Sequence, residues 1–323
     1  DAFSGCTGLV TVKLNAGLTT IGKGAFDGVP FGSKELSGAI TGGSVTSIGA
    51  AAFKNSEYLE TVTFENGPKA LTMSSIYAGF DGEKGAFREC KELKRVTLPD
   101  QLKVLPNHTF YGCTALEEVK FGMYLETIEN RAFSGCSSLL AAVMPTSLKI
   151  IGEDAFSGCT GLVTVKLNAG LETIGKGAFD GAAFGSKDMS GAITGGSLTI
   201  PGSVTSIGAA AFKNSEYLET VTFENGSAEL TMSSNYASFD GEKGAFRECK
   251  ALKSVTLPDQ LKVLPNHTFY GCTALEEVKF GIYLETIGDR AFSGCSSLLA
   301  AVMPTSLISI GEDAFSGCSA LGE

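Results

Sequence analysis

Nine cysteines and two histidines are the residues with the clearest capacity for chemistry in this 323-residue chain. Cysteine supplies nucleophiles, disulfides and metal ligands, and histidine supplies a general base near neutral pH. The cysteines are spaced for packing instead. Each stands three residues after a phenylalanine, at Cys6, Cys90, Cys113, Cys136, Cys159, Cys249, Cys272, Cys295 and Cys318, and the same slot elsewhere holds Val29, Ser56, Ala182 and Ser215. A slot that accepts Cys, Val, Ala or Ser is a small buried site, where cysteine behaves as a small hydrophobe. Neighbours such as Cys113 and Cys136 would stack within bridging range, so a disulfide stays open, although the tolerance of the slot favours free thiols. No C-x-x-C pair occurs, and a straight column of cysteines offers no tetrahedral cage, so no metal is expected. His108 and His267 sit two residues before a phenylalanine, a place filled elsewhere by Asp1, Gly24, Ala51, Gly85, Arg131 and Asp154. Such variety describes an exposed turn. The expectation is of no catalytic residue and no cofactor.

The frame behind these positions is a rhythm of thirteen phenylalanines, from Phe3 to Phe315, at intervals of 23, 27, 33 or 34 residues. A fixed period of this size means that each unit buries its apolar face against its neighbours, which is the sequence signature of a solenoid. The unit reads C-x-x-L-x-x-V-x-L-P and then L-x-x-I-G-x-x-A-F-x-G, as in Cys113 to Gly122 and Leu171 to Gly181. One residue alternates outward between two apolar ones, so Val119 and Phe121 point in and Lys120 points out along a short strand. The Gly after the Ile is expected at a sharp corner needing positive φ. The Ala-Phe pair is expected to return to the interior through a short helical or irregular turn, which stacks the Phe rings in a ladder.

This pattern resembles the BspA-type leucine-rich repeats, also called the Treponema-type class, in which an Ile-Gly-x-x-Ala-Phe-x-x-Cys segment joins a Leu-x-x-Val-x-Leu-Pro strand. The likeness covers nearly the whole chain. It departs at Leu105 to Thr109 and Leu264 to Thr268, where Leu-Pro-Asn-His-Thr replaces Ile-Gly-x-x-Ala, and in the long units before Phe87 and Phe246. The resemblance implies an α/β repeat fold, a leucine-rich-repeat solenoid with short parallel strands on one face and short helical or irregular turns opposite, and the continuous repeat makes it a single body over residues 1–323, of about thirteen coils. It also implies an extracellular or surface-attached protein of the kind found in gut and oral anaerobes and some protozoa, several of which act as adhesins.

A larger period lies above the coil. Phe53 to Gly158 and Phe212 to Gly317 align without a gap and differ at 12 of 106 positions, so residues 1–155 and 156–323 read as two copies of a six-coil block. The second copy gains Leu198-Thr199-Ile200-Pro201 and two more residues, so the first should be irregular near residues 36–48. The chain starts and stops at the same phase, Asp1-Ala-Phe-Ser-Gly-Cys6 and Asp313-Ala-Phe-Ser-Gly-Cys318, which reads as a slice of a longer protein. Ends in one phase also imply weak head-to-tail self-association, a contact that does not close.

A net charge of −10 disfavours nucleic acid and anionic membranes, and no apolar run is long enough to enter a bilayer. Asn107-His-Thr109, Asn266-His-Thr268 and Asn225-Gly-Ser227 fit the glycan acceptor pattern, which matters only in a eukaryotic secretory pathway. Gly42-Gly43-Ser44 and Gly195-Gly196-Ser197 lack the Lys-Ser/Thr ending of a phosphate loop.

What remains for function is the row of outward strand residues: Lys13, Thr63, Thr97, Lys120, Val143, Lys166, Thr199, Thr222, Thr256, Lys279 and Val302. One coil per block turns apolar there, with Leu140, Ala141 and Val143 in the first and Leu299, Ala300 and Val302 in the second. Exposed apolar groups mark contact sites. Beside them stand Lys120 and Lys166, and Lys279, so the candidate ligand-binding set is Lys120, Leu140, Val143, Lys166, Lys279, Leu299 and Val302. The long insertions, with Tyr77, Phe80, Tyr236 and Phe239, either anchor a partner or pack on the solenoid edge, and packing is the favoured reading. The expected function is a non-enzymatic binding or adhesion module for a protein or glycan ligand. The alternative is a spacer that holds another domain away from the cell.

Overall fold

The computed structural model describes all residues except 10–16, 34–37, 43, 68, 76–84, 190–192, 235–243 and 323. The chain divides into two compact units, residues 1–151 with 155–161 and residues 152–154 with 162–323. Lys13, Tyr77, Phe80, Tyr236 and Phe239 lie outside the described residues, as does part of the segment expected to be irregular.

The Ala-Phe turns are not helical. Among the described residues no helix forms, and the reason is in the backbone. The residue two before the Phe is left-handed in most coils, with φ of 57° at His108, 56° at Arg131 and 53° at Asp154. The residue two after it is left-handed too, with φ of 71° at Gly112 and 78° at Gly135. Left-handed residues end a right-handed helix, so at most three residues between them can follow a helical path. The backbone donors split accordingly. Ser134 N–H closes the turn onto Arg131 O at 3.2 Å, whereas Phe133 and Gly135 donate to Ala155 O and Ser157 O of the next coil, both at 2.8 Å. A helix would have kept those donors for itself.

Two strand ladders complete each coil. In the first unit Gly38–Gly42, Leu59–Phe64, Arg95–Thr97 and Glu118–Lys120 pair in parallel. In the second, Ser197–Ile200, Thr220–Phe223, Ser254–Thr256 and Glu277–Lys279 do the same, and Ala300 adds a parallel bridge to Glu277. The Leu-x-x-Ile segments form two-residue strands such as Val104–Leu105, Thr127–Ile128 and Ile150–Ile151, also parallel. The described residues make about 11 turns instead of thirteen. Among the described residues a strand or bridge follows eleven of the phenylalanine turns, those from Phe26 to Phe292.

The corner glycines do not adopt positive φ; none of Gly49, Gly175, Gly208, Gly288 or Gly311 does. They are needed because backbones approach closely: a Cβ on Gly175 would lie 2.5 Å from the carbonyl carbon of Gly152.

The core is the phenylalanine ladder. Consecutive rings within each unit stack with centroids 4.9 Å apart at Phe212–Phe246 and 5.5 Å apart at Phe179–Phe212, and planes within 4° to 15° of parallel. Leu116, Leu125, Ile128 and their equivalents are fully buried around it. Val119 and Phe121 are only half-buried, although Phe121 sets its edge against Phe133 at 5.8 Å.

The six extra residues of the second block change which segment forms a rung. In the first unit Gly38–Gly42 is the rung, with a register shift between Gly38 and Ala39. In the second, Ile193–Thr194 of the same sequence pairs antiparallel with Ser186–Lys187 instead, and the inserted Ser197–Ile200 segment becomes the rung. The side chains explain the exchange: Ile40, 2% exposed, fills the core slot that Leu198, also 2% exposed, fills in the second copy.

Candidate ligand-binding face

The reactive side chains are committed to structure. All nine cysteines are free thiols, seven of them buried. Cys113, Cys136 and Cys159 donate to the carbonyls of Phe87, Phe110 and Phe133 in the preceding coil, each at 3.2 Å, and Cys249, Cys272 and Cys295 repeat the arrangement. Ser56 and Ser215, in the same slot, bond the carbonyls of Phe53 and Phe212 at 2.8 and 2.7 Å. The slot therefore selects a small donor aimed at a buried carbonyl, which explains the Cys and Ser members; Val29 and Ala182 fill it by size. Burial pushes the thiols of Cys159, Cys249 and Cys295 up to about 12, so they are neutral at physiological pH.

His108 and His267 do occupy a turn, but are half-buried instead of exposed. Each ring leans on a tyrosine, Tyr111 or Tyr270, at 5.6 Å, and Arg88 or Arg247 covers the same tyrosine at 4.6 Å. The sequon asparagines are engaged as well. Asn107 Oδ1 accepts from Asn130 N–H at 2.9 Å, and Asn225 Nδ2 donates to Asp259 at 2.8 Å. Thr109, which would complete one sequon, is buried and donates to Pro106 O at 2.7 Å.

The outward strand residues are different. Alternation leaves Leu140 56% and Val143 57% exposed, and Leu299 60% and Val302 83% exposed. Leu139 and Ala142 are fully buried in the first unit, as is Leu298 in the second, where Ala301 is half-buried. Leu140 N–H bonds Glu117 O at 3.3 Å, which seats its coil on that of Lys120, and the Glu277 to Ala300 bridge sets Val302 beside Lys279. Each unit thus brings its apolar rung next to a charged one. Lys120, Lys166 and Lys279 are exposed. Lys166 belongs to the second unit, where it lines a groove of about 400 Å³ with Ser197 and Thr199.

The charges on this face pair locally: Lys120 with Glu118 at 3.8 Å, Arg95 with Glu118 at 3.8 Å, and Lys279 with Glu277 at 3.5 Å. Sequence reasoning missed a second exposed apolar set at the corner after each charged strand, Met123 and Tyr124 and their counterparts Ile282 and Tyr283, all 54% to 59% exposed. The signal was present, since other coils carry Asp100-Gln101 or Thr146-Ser147 there.

With the strand and turn geometry in hand, the chain belongs to the BspA type leucine rich repeat region family, which it matches over residues 1–78, 83–194 and 189–321 in six copies. It is similar to a leucine-rich repeat protein from Bacteroides ovatus, at 26% identity over 94% of this chain and 81% of that one, with a TM-score of 0.59. A leucine-rich repeat protein from Eubacterium ventriosum shares the fold at 20% identity over 96% and 83%, with a TM-score of 0.50. A leucine rich cell surface protein from Faecalibacterium prausnitzii aligns at 25% identity over 94% and 82%, with a TM-score of 0.46. No protein of curated function matches the chain.

Proposed function

We propose that the chain is a non-enzymatic binding module displayed outside the cell, and that the parallel strand face receives its protein or glycan ligand. The observation that carries this reading is the exposure of Leu140, Val143, Leu299 and Val302, 56% to 83%, on the coil that follows the last strand of each four-stranded ladder. Large apolar side chains on a rigid, hydrogen-bonded surface gain on desolvation and lose little entropy on contact. The thiols and imidazoles, by contrast, are occupied in packing, which removes the chain's best candidates for catalysis. Surface location accords with the family. The near-identical block duplication also favours a second reading, a spacer that lengthens a stalk. A panel of matrix proteins, mucins and glycans separates the two. Binding that disappears when Leu140, Val143, Leu299 and Val302 are all changed to Asp supports the binding module, and absence of binding by either protein favours the spacer.

A further inference from the structure

The strand face carries one column of hydroxyls per unit, and each column ends at a lysine. Register places Thr41, Thr63, Thr97 and Lys120 in line in the first unit, and Thr199, Thr222, Thr256 and Lys279 in line in the second. Among the described residues these six threonine hydroxyls have no hydrogen-bond partner. Corner threonines behave otherwise: Thr46, Thr72, Thr205 and Thr231 each donate to a backbone carbonyl of the preceding coil. The hydroxyls of the face are therefore left available by the fold, at one per rung.

We infer that the ligand of this face is a neutral, extended polysaccharide whose sugar units step along the rungs. The inference rests on the reading of the strand face as the binding surface and names the class of its ligand. Three observations favour it. In-register parallel pairing repeats the threonine every roughly 4.8 Å, close to the length of one pyranose in an extended chain, whereas an extended peptide advances roughly 3.3 Å per residue and falls out of step. Each threonine offers a hydroxyl beside a methyl, matching a sugar edge that alternates O–H with C–H. Lys120 and Arg95 share Glu118, and Lys279 pairs with Glu277, so the charge at the end of each threonine column is largely compensated locally and selects weakly for a polyelectrolyte. The Leu140–Val143 and Leu299–Val302 rungs then extend each column with an apolar platform for the C–H face of a sugar.

Affinity electrophoresis of the whole chain in native gels containing galactomannan, hydroxyethyl cellulose or xylan tests this, with polygalacturonate and gelatin gels alongside. Two quadruple variants accompany it. Thr63→Val, Thr97→Val, Thr222→Val and Thr256→Val together remove hydroxyls while keeping β-branched side chains in the sheet. The matching Thr→Ser set keeps the hydroxyls. The expected result is retardation by at least one neutral polysaccharide, weakened about tenfold or more in the Val variant and retained in the Ser variant. Retardation by none of the three neutral polymers, or equal retardation of the Val variant, overturns the inference. The wider reading is judged separately: gelatin binding that is lost in the Leu140, Val143, Leu299 and Val302 to Asp variant would leave the strand face as a protein-binding surface, and gelatin binding that survives it would remove that reading too.

Discussion

Replacing Phe133 with Ala opens the ladder at a ring stacked on both sides. The ring is fully buried, stacked on Phe110 at 5.4 Å and on Phe156 at 5.1 Å, with the edge of Phe121 at 5.8 Å. Truncating a buried Phe costs about 3–5 kcal/mol, and each aromatic pair lost contributes roughly 0.5–1.5 kcal/mol of such a total, which places this site toward the upper end. Phe3 is the internal control. It is 45% exposed and among the described residues stacks only on Phe26, at 5.1 Å, so Phe3→Ala should cost less than about 2 kcal/mol. Because stacked repeats are coupled mainly to their neighbours, the loss is best read locally, by amide hydrogen exchange at Phe110 and Phe133 alongside urea unfolding. Those two amides donate to Ala132 O and Ala155 O of the following coils at 2.8 Å, and they should open together in Phe133→Ala. A cost below about 1.5 kcal/mol, or equal costs for the two variants, would refute the ladder as the main source of cohesion.

Three further outcomes follow from the same geometry. Cys159, Cys249 and Cys295 keep their protons up to about 12 when folded, against an ordinary 9.0, so their contribution is fully present below pH 9 and declines from 9 to 12. Each thiol removes about 1.4 kcal/mol per pH unit in that window, so urea midpoints should fall as pH rises past 9 and fall less in Cys159→Ala. Asp100 accepts from Met123 N–H at 3.1 Å and from Asn66 Nδ2 at 2.6 Å, so Asp100→Ala should lower stability by about 1–3 kcal/mol in a thermal melt, and a neutral result would mean that water replaces both bonds. Gly175→Ala places a Cβ against the Gly152 carbonyl and should cost about 1–3 kcal/mol in chemical denaturation; a stabilising effect would contradict the close approach.

The phenylalanine period carried most of the fold into view, because a buried ring has few substitutes and its spacing survives changes everywhere else. The small slot was legible for the same reason: Cys, Ser, Ala and Val share little but size. The helical turns were misread because left-handed backbone is written in residues as different as His108, Arg131 and Asp154, which carry no common side-chain signal. The corner glycines misled in the opposite way. Positive φ and close backbone approach both demand Gly, and only three-dimensional neighbours tell them apart. The exchange of rungs between Gly38–Gly42 and Ser197–Ile200 was half legible: the insertion marks the place, but the same Ile-Thr pair lies in a rung as Ile40-Thr41 and in an antiparallel strand as Ile193–Thr194. On the candidate face, Leu140 and Val143 stood out by breaking the charge pattern. Met123 and Tyr124 did not, because a corner position has no fixed polarity to break.

The central claim is that ligand meets the strand face and not the turns. Val143→Asp with Val302→Asp adds two negative charges to the face, and Thr114→Asp with Thr273→Asp adds the same two charges at exposed positions beside Cys113 and Cys272. Binding of both double variants to whichever ligand the panel identifies, measured against wild type at matched salt, is the most direct test. The account predicts a loss of about tenfold or more for the strand-face pair and little change for the turn pair. Equal losses, or a loss confined to the turn pair, would contradict it.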